Sequence, residues 1–374
     1  GAWTYWTPAD GWSAFAKDAG LIYVYNGTSL AWVQAASSIV SVTASLVQVS
    51  ALGKTTSAGG GKVKTWLTAN NDVFAAGDNT NSQNGYSVGA TDLPVKVQFN
   101  VTPGTITKIV QSATSTYILD NTGKVWSLGG NSSGQLGHGD TTSRQVATRI
   151  EYFVANSLAI ADIFASGDAA GTADYVFFVT TGGAAYACGN NGNGQLGLGD
   201  TTQRTTPTLV TAVSSVARVT CAGNTSPHTL LITTAGALWT TGYNGAGQLG
   251  QGDTTQRTTF TVVSGFTNAS KAAASGSSTA SVGNSYVLKT DGTVWACGYN
   301  AYGQLGQGDT STRNAFTQIS SLSSITDIQA GPDYTSTVAA LKSDGNMYVW
   351  GYNGSGACGT ANTTNQTSPQ APSF

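Results

Sequence analysis

The chain has 374 residues, and its composition already excludes several classes of protein. Only 9% of the residues carry charge, against about 25% in typical soluble domains, and the net charge is −2. Scattered lysines without a basic tail disfavour nucleic-acid binding, and the sequence has no apolar run of the length that membrane insertion requires. The surface must be a neutral coat of hydroxyl and amide side chains, which favours a location outside the cell.

The first segment of the chain is rich in aromatic residues, which are Trp3, Tyr5, Trp6, Trp12, Phe15, Tyr23, Tyr25 and Trp32. A turn from Pro8 to Trp12 and the string at residues 23–27, which closes on Trp32, predict a short aromatic β-hairpin. This segment resembles the end of a domain of unknown function in structural proteins of tailed phages and gene-transfer agents. We predict that residues 1–36 form an attachment or cap segment and that residues 37–374 form a second domain.

From residue 77 onward, a glycine, a variable residue and an asparagine recur together. The copies begin 52 to 60 residues apart, at Gly77, Gly129, Gly189, Gly242, Gly298 and Gly351. Four of them continue as Gly-Gln-Leu-Gly-x-Gly-Asp, over residues 134–140, 194–200, 247–253 and 303–309, whereas the first and last copies are degenerate. A period of this length suits one four-stranded propeller blade and is too long for a helical hairpin repeat.

The sequence between the copies predicts strands joined by tight turns. Apolar residues flank a turn glycine at Gly123, Gly292 and Gly345, which is the local signature of a β-hairpin. No stretch has a convincing helical period. The predicted fold is therefore all-β, a β-propeller of six blades. Seven blades are the alternative, in which case residues before Gly77 would supply a further blade.

Several positions of the repeat have a physical interpretation. The asparagine can hydrogen-bond the backbone of the turn in which it lies. The only large apolar residues of the glycine-rich strings are predicted to pack between neighbouring blades, and they are Leu136, Leu196, Leu249 and Leu305. An arginine follows each aspartate by four positions, which predicts structural charges that hold the connection to the next strand by ion pairs or carbonyl contacts, at Asp140–Arg144, Asp200–Arg204, Asp253–Arg257 and Asp309–Arg313.

The long repeated string resembles the repeat family of the regulator of chromosome condensation, over roughly residues 40–374. The resemblance implies a β-propeller, which has seven blades in well-known members and is closed by strands from both termini. Residues 368–372 match the start of the strand after Arg204, so we expect the chain end to complete the first blade. The well-known member acts at chromatin and on a small GTPase through features, including basic segments, that this sequence lacks.

Histidine and cysteine offer few candidates for catalysis or metal binding. His138 occupies a variable position of one repeat, and His228 lies where members of the resembled family often have a histidine packed inside the blade. A Ser-His-Asp triad would need one of them beside an aspartate, and His228 has no such support nearby in the sequence. The cysteines lack a C-x-x-C pair and are predicted to be buried, at Cys188, Cys221, Cys297 and Cys358. We predict a non-enzymatic protein with no catalytic residue, no metal site and no cofactor.

The variable position of the Gly-x-Asn motif predicts one candidate ligand surface. It is small or polar in the first three copies, whereas the last three carry tyrosines, which are Tyr243, Tyr299 and Tyr352, with Tyr302 nearby. Equivalent positions lie on one rim of a propeller, and aromatic faces there could stack against sugars. The alternative is that these tyrosines only pack against the next blade.

Three functions remain open on the sequence alone. The first is a virion surface protein of a tailed phage or related particle, a fibre or spike that uses its N-terminal segment to bind other virion proteins and its propeller to bind a host glycan or protein. The second is a secreted bacterial propeller that binds a protein, for example as an enzyme inhibitor. The third is an intracellular exchange factor. The scarcity of charge and the aromatic segment favour the first.

Overall fold

The computed structural model describes residues 13–16, 21–26, 31–34, 46–51, 63–77, 91–166, 174–223, 225–276, 282–331 and 337–373. The chain divides into two compact units. One comprises residues 1–48 and 68–70, and the other comprises residues 49–67 and 71–374.

The first unit contains a three-stranded antiparallel sheet of β1 (Ser13–Ala16), β2 (Leu21–Asn26) and β3 (Ala31–Gln34). The central strand β2 pairs with both neighbours, and Tyr25 lies opposite Trp32 in the register of β2 and β3. Aromatic and β-branched residues are frequent in β2 and β3, as expected for strands. The aromatic β-segment predicted from the sequence is thus built of strands, and its attachment role stays a prediction.

Six four-stranded sheets make up the rest of the fold, each with its strands in chain order. The first three blades consist of β4 (Leu46–Ala51), β5 (Val63–Thr68), β6 (Val73–Gly77) and β7 (Thr91–Lys96); β8 (Ile106–Gln111), β9 (Ser115–Asp120), β10 (Val125–Gly129) and β11 (Arg144–Arg149); and β12 (Ile160–Ser166), β13 (Tyr175–Thr180), β14 (Ala185–Gly189) and β15 (Arg204–Leu209).

The last three blades repeat the same order. They consist of β16 (Val216–Ala222), β17 (His228–Thr233), β18 (Leu238–Gly242) and β19 (Arg257–Val262); β20 (Ala269–Gly276), β21 (Gly283–Lys289), β22 (Val294–Gly298) and β23 (Arg313–Gln318); and β24 (Ile325–Ala330), β25 (Thr337–Lys342), β26 (Met347–Gly351) and β27 (Gln366–Gln370). The all-β fold of repeated propeller blades is therefore as predicted, with six four-stranded blades in the described part of the chain.

The first strands of successive blades are neighbours: β8 lies beside β12, β12 beside β16, β16 beside β20, and β20 beside β24. In the second to sixth blades, the first strand is therefore innermost and the fourth strand is outermost. Because the strands within a blade are antiparallel, the connection between the third and fourth strands leaves every blade on the same side. This side carries the repeated motif.

The tight turns between second and third strands are held by short polar side chains. In the second blade the Asp120 carboxylate accepts hydrogen bonds from the backbone amides of Thr122 (2.9 Å) and Lys124 (3.0 Å). Asp291 accepts a 2.9 Å hydrogen bond from the Thr293 amide in the fifth blade. Such local contacts satisfy the backbone of a turn, and they explain why the hairpins could be recognised from sequence.

The core is divided among the interfaces between blades. Five separate clusters of buried apolar side chains lie between the first and second, second and third, third and fourth, fourth and fifth, and fifth and sixth blades. For example, Tyr117 and Leu119 of the second blade pack with Ile163 and Phe178 of the third. Strands of the middle blades are therefore apolar on both faces, because each blade lies between two others.

The structure corrects the prediction for the chain end. We expected residues 368–372 to complete the first blade, but β27 pairs with β26 and completes the sixth. The sequence match that we used was correct, because β15, which begins at Arg204, also pairs with the third strand of its own blade. The match identified the type of strand, and the inference about ring closure drawn from the resemblance was wrong.

Two smaller differences concern a helix and a cysteine. Helix α1 (Glu151–Ala155) follows β11 and was not predicted; it inserts the buried ring of Phe153 between the second and third blades. This helix has five residues, too few to cross a bilayer, and no other helix occurs in the described part of the chain. Three cysteines are buried as predicted, whereas Cys221 is only partly buried, on the first strand of the fourth blade.

Candidate binding face

The connections between third and fourth strands, which we call the motif loops, span residues 130–143, 190–203, 243–256, 299–312 and 352–365. Each is organised around its asparagine. The Asn244 amide nitrogen donates to the carbonyl oxygens of Asp253 and Thr255, both at 3.0 Å, and its oxygen accepts from the Leu249 amide at 2.9 Å. The equivalent bonds recur around Asn131, Asn191, Asn300 and Asn353. The role predicted for the asparagine is confirmed.

An ion pair closes four of these loops. Arg257 Nη2 lies 2.8 Å from Asp253 Oδ2, and Arg257 Nη1 donates to the Thr255 carbonyl at 2.8 Å. The matching pairs are Arg144–Asp140 (2.8 Å), Arg204–Asp200 (2.6 Å) and Arg313–Asp309 (2.8 Å). The arginine hydrogen bond lowers the pKa of Asp253 and of Asp309 to about 2. All four predicted ion pairs are confirmed, and they stabilise the loops.

The leucine of each complete motif is fully buried, as predicted: Leu136, Leu196, Leu249 and Leu305. Leu196 packs in the cluster between the third and fourth blades, and Leu305 in the cluster between the fifth and sixth. A backbone hydrogen bond also ties the loops of the second to fifth blades to the next blade, for example from the Gly252 amide to the Asn314 carbonyl at 2.8 Å. The motif loops are rigid supports for whatever residue occupies the variable position.

The structure brings three of the four candidate tyrosines together. The ring centroids of Tyr299 and Tyr302 are 6.3 Å apart, and those of Tyr302 and Tyr352 are 5.3 Å apart, both in edge-to-face geometry. We call these three residues the tyrosine patch; each is partly buried. The Tyr243 ring instead lies over Gly245 of its own loop and makes no ring contact with the patch in the described part of the chain. The first copy of the motif, from residue 78, lies outside the described residues.

Both histidines serve the structure. His228 is fully buried; its Nδ1 lies 3.0 Å from the Ser226 carbonyl and its Nε2 lies 3.0 Å from Ser285 Oγ. His138 Nε2 lies 2.9 Å from Ser127 Oγ. Burial lowers the pKa of each histidine to about 4, so both are neutral at physiological pH. The prediction that His228 packs inside its blade is confirmed.

The cysteines and the acidic residues do not form a metal centre in the described residues, where no cluster of three His, Cys, Asp or Glu side chains occurs. Burial raises the pKa of the thiols of Cys188, Cys221 and Cys297. These thiols are therefore protonated side chains that fill space between strands, as the sequence predicted for buried cysteines.

One set of charged residues was not predicted from the sequence, and it lies at the third position of four innermost strands. Lys108 of β8 pairs with Asp162 of β12, and Lys271 of β20 pairs with Asp327 of β24. Each pair joins two neighbouring blades near the centre of the propeller. The positions are separated by roughly one repeat in sequence. A charged residue two positions after the start of each of these strands could therefore have indicated the pairs.

Comparison with known proteins gives the family. A family model described as an RCC1-like domain matches residues 49–373. The chain is 32% identical over 286 residues to the ultraviolet-B receptor UVR8 of Arabidopsis thaliana, which covers 75% of this chain and 61% of that protein. It is 40% identical over 132 residues to the human X-linked retinitis pigmentosa GTPase regulator, covering 34% of this chain and 12% of that protein. The chain spans less than two thirds of the length of these relatives.

A solved structure has the same fold. Prp20p from Saccharomyces cerevisiae superposes with a TM-score of 0.67 at 18% identity, over 84% of this chain and 76% of that chain. At this identity the likeness shows the fold alone. The family model, in contrast, matches most of the sequence and includes every described motif loop. The chain therefore belongs to the family of RCC1-like domains.

Proposed function

We propose that the chain is a non-enzymatic recognition protein that binds its partner through the side of the propeller that carries the motif loops. The observation that carries the proposal is the contrast within each loop. A shared set of hydrogen bonds fixes the backbone, while the residue between glycine and asparagine differs: Gly130, Asn190, Tyr243, Tyr299 and Tyr352. A rigid support with changeable side chains is typical of binding surfaces.

The relatives support a recognition role. One is named as a receptor, another as a GTPase regulator, and Prp20p is described as binding Gsp1p and histones. A catalytic role has weaker support in this chain, because both histidines are neutral and make hydrogen bonds within the propeller. Function belongs to sites and not to folds, so the partners of the relatives are not transferred to this chain.

A finer proposal is that the chain is displayed on the surface of a phage virion or related particle, as a fibre or spike that binds a host receptor. It is supported by the likeness of residues 1–36 to a phage structural domain and by the neutral composition. Labelling of purified particles with an antibody against the chain tests it, and particles without label would contradict it. The alternative is a secreted bacterial propeller that binds a protein, which predicts co-purification with a soluble enzyme.

The recognition role is tested with the folded chain and with a variant in which Tyr243, Tyr299 and Tyr352 are all replaced by alanine. We expect the variant to bind host cells or captured partners more weakly than the natural chain, with an unchanged melting temperature. Tyr152→Ala is the control, since Tyr152 is a partly buried tyrosine on α1, outside the motif loops. Equal binding by the triple variant would contradict the proposal.

A further inference from the structure

The parts of the two motif loops that carry the tyrosine patch contain no charged side chain. Residues 298–308 and 351–359 contain no Asp, Glu, Lys, Arg or His. The nearest charged side chains of the loop, Asp309 and Arg313, are paired with each other. The same two loops expose small residues, which are Ala301, Gly354 and Ser355, and Gly354 lies directly beneath the Tyr352 ring. A ligand that matches this surface is uncharged, has an apolar face for the rings and has hydroxyl groups for the backbone.

We propose that the tyrosine patch binds a neutral glycan by stacking of its pyranose rings, an inference that rests on the recognition role proposed above and names its ligand class. The C–H face of a pyranose is flat and apolar, whereas its edge carries hydroxyl groups that can donate and accept hydrogen bonds. Tyrosine offers a large rigid face at low entropic cost together with a hydroxyl group. Neutral hexoses therefore match both parts of the surface.

The ring geometry favours a sugar over a proline-rich peptide. Peptides in the polyproline conformation dock in grooves lined by aromatic residues. In the patch, the planes of Tyr299 and Tyr302 meet at 71° and those of Tyr302 and Tyr352 at 75°. No two of the contacting rings are parallel, so the three described tyrosines do not form the facing walls of a slot. Stacking of one sugar ring on one tyrosine suits this arrangement better than insertion between two rings.

The residue two positions after each tyrosine of the motif determines where its ring lies. The Tyr243 and Tyr352 rings lie over Gly245 and Gly354, where a Cβ atom would overlap the tyrosine hydroxyl. The equivalent residue after Tyr299 is Ala301, and its Cβ atom would overlap a tyrosine ring that lay across the loop in the same way. The Tyr299 ring lies against Tyr302 instead. Ala301 and Gly354 are therefore positioning residues, because the first keeps the Tyr299 ring off its own loop and the second allows the Tyr352 ring to lie across its own loop.

Other contacts hold the two loops in place before any ligand binds. The Tyr352 carbonyl accepts a 2.9 Å hydrogen bond from Thr337 Oγ1, and the Tyr299 carbonyl accepts one from the Asn284 side chain. The Tyr302 amide donates to Gln304 Oε1 at 2.8 Å. Because these groups are fixed in the free protein, little ordering entropy opposes binding at the patch.

The test is an array of neutral and sulfated oligosaccharides, followed by titration of the best neutral binder with the full chain. We expect Tyr302→Ala to weaken binding by about tenfold, the loss of one stacking contact. Tyr302→Phe should retain most of the affinity, and Tyr152→Ala should retain all of it. Ala301→Gly should weaken binding and change the aromatic NMR shifts of the patch at constant melting temperature, which a merely structural role would not do.

The ways in which the proposal can fail are distinguishable. Binding only to sulfated sugars, or to none, overturns the glycan assignment, and so does a Tyr302→Ala variant that binds a neutral glycan normally. If a proline-rich peptide or a protein binds the patch in its place, the glycan assignment fails while the recognition role stands. If the variants of the patch leave all partner binding intact, the recognition role fails at this surface as well.

Discussion

The motif loops of the second to fifth blades and that of the sixth blade share one design but differ in their surroundings. In the earlier loops, a glycine approaches the outermost strand of the next blade: a Cβ atom at Gly194 would lie 2.6 Å from Thr258 Cα, and one at Gly303 would lie 2.5 Å from Thr367 Cα. At the equivalent Gly356 of the sixth blade, no described atom lies within 4 Å of that position. Among the described residues, the motif loop is therefore enclosed at Gly303 and open at Gly356.

The hairpins show the same difference. The apolar pair beside the turn is buried in the fifth blade, where Leu288 is 4% exposed and Val294 is 0% exposed. In the sixth blade, the equivalent Leu341 and Met347 are 44% and 38% exposed. These residues are all of similar size and polarity. In the described part of the chain, burial of this pair is thus provided by the following blade and not by the hairpin itself.

The sixth loop has also replaced the ion pair by amides. Asn362 stands at the aspartate position and Gln366 at the arginine position, and Gln366 Nε2 donates to Asn362 Oδ1 at 3.2 Å. The Asn353 side chain still donates to the Asn362 carbonyl at 2.8 Å. The hydrogen-bonding frame therefore survives without charge, which shows that the ion pair reinforces the loop and is not required to form it.

The largest expected contrast is between Gly303→Ala and Gly356→Ala. Both glycines have positive φ, at 78° and 73°, so each substitution strains the backbone by about 1–2 kcal/mol. Only Gly303 abuts the next blade, and overpacking there should add roughly 1–3 kcal/mol. Chemical denaturation measures the loss in free energy of unfolding for both variants. Equal losses would show that the sixth loop is as enclosed as the fifth.

The second contrast uses the two hairpins. Leu288→Ala removes a buried side chain and should lower the free energy of unfolding by about 2–5 kcal/mol. Leu341→Ala should cost less than about 1 kcal/mol, because its side chain is already in contact with water. Thermal melts of the two variants give the comparison directly. A large loss for Leu341→Ala would mean that something covers this face of the sixth blade in solution.

The third contrast lies within one motif loop. Leu249→Ala should cost about 2–5 kcal/mol, because it leaves a cavity at a fully buried position. Arg257→Ala should cost about 0.2–1 kcal/mol, since the pair it breaks is partly solvated. The denaturant midpoints of the two variants rank their stabilities, provided that the dependence of the free energy of unfolding on denaturant is the same for both. A larger loss for Arg257→Ala than for Leu249→Ala would show that the loop is stabilised mainly by its charges and not by its packing.

Local chemistry explains what the sequence could predict. The period of the glycines predicted the blades. The fixed spacings within the motif predicted the hydrogen bonds of the loop, the Asp253–Arg257 pair and the buried Leu249, because the contacts within the motif join residues less than a dozen positions apart. Contacts between blades were less accessible. The Lys108–Asp162 pair spans 54 residues, and the Tyr302–Tyr352 contact depends on the placement of two separate loops. The error over the chain end had the same origin, since pairing partners of β27 cannot be read from its own composition.

The smallest expected effect is on acid sensitivity. Hydrogen bonds from arginine hold the pKa of Asp253 and Asp309 at about 2, below the value of about 3.9 for an unfolded chain. A lowered carboxylate pKa stabilises the folded state above about pH 4, and that contribution is lost as the pH falls through 2.

Replacing Asp253 by Asn and Arg257 by Gln gives the fourth-blade loop the two amides that the sixth loop has at these positions. This variant should melt slightly below the natural chain at pH 6, and the difference should shrink towards pH 2. Introducing the charged pair with Asn362→Asp and Gln366→Arg should do the reverse, adding stability at pH 6 that disappears in acid. A difference that stays constant with pH in both experiments would mean that geometry, and not charge, distinguishes the loops.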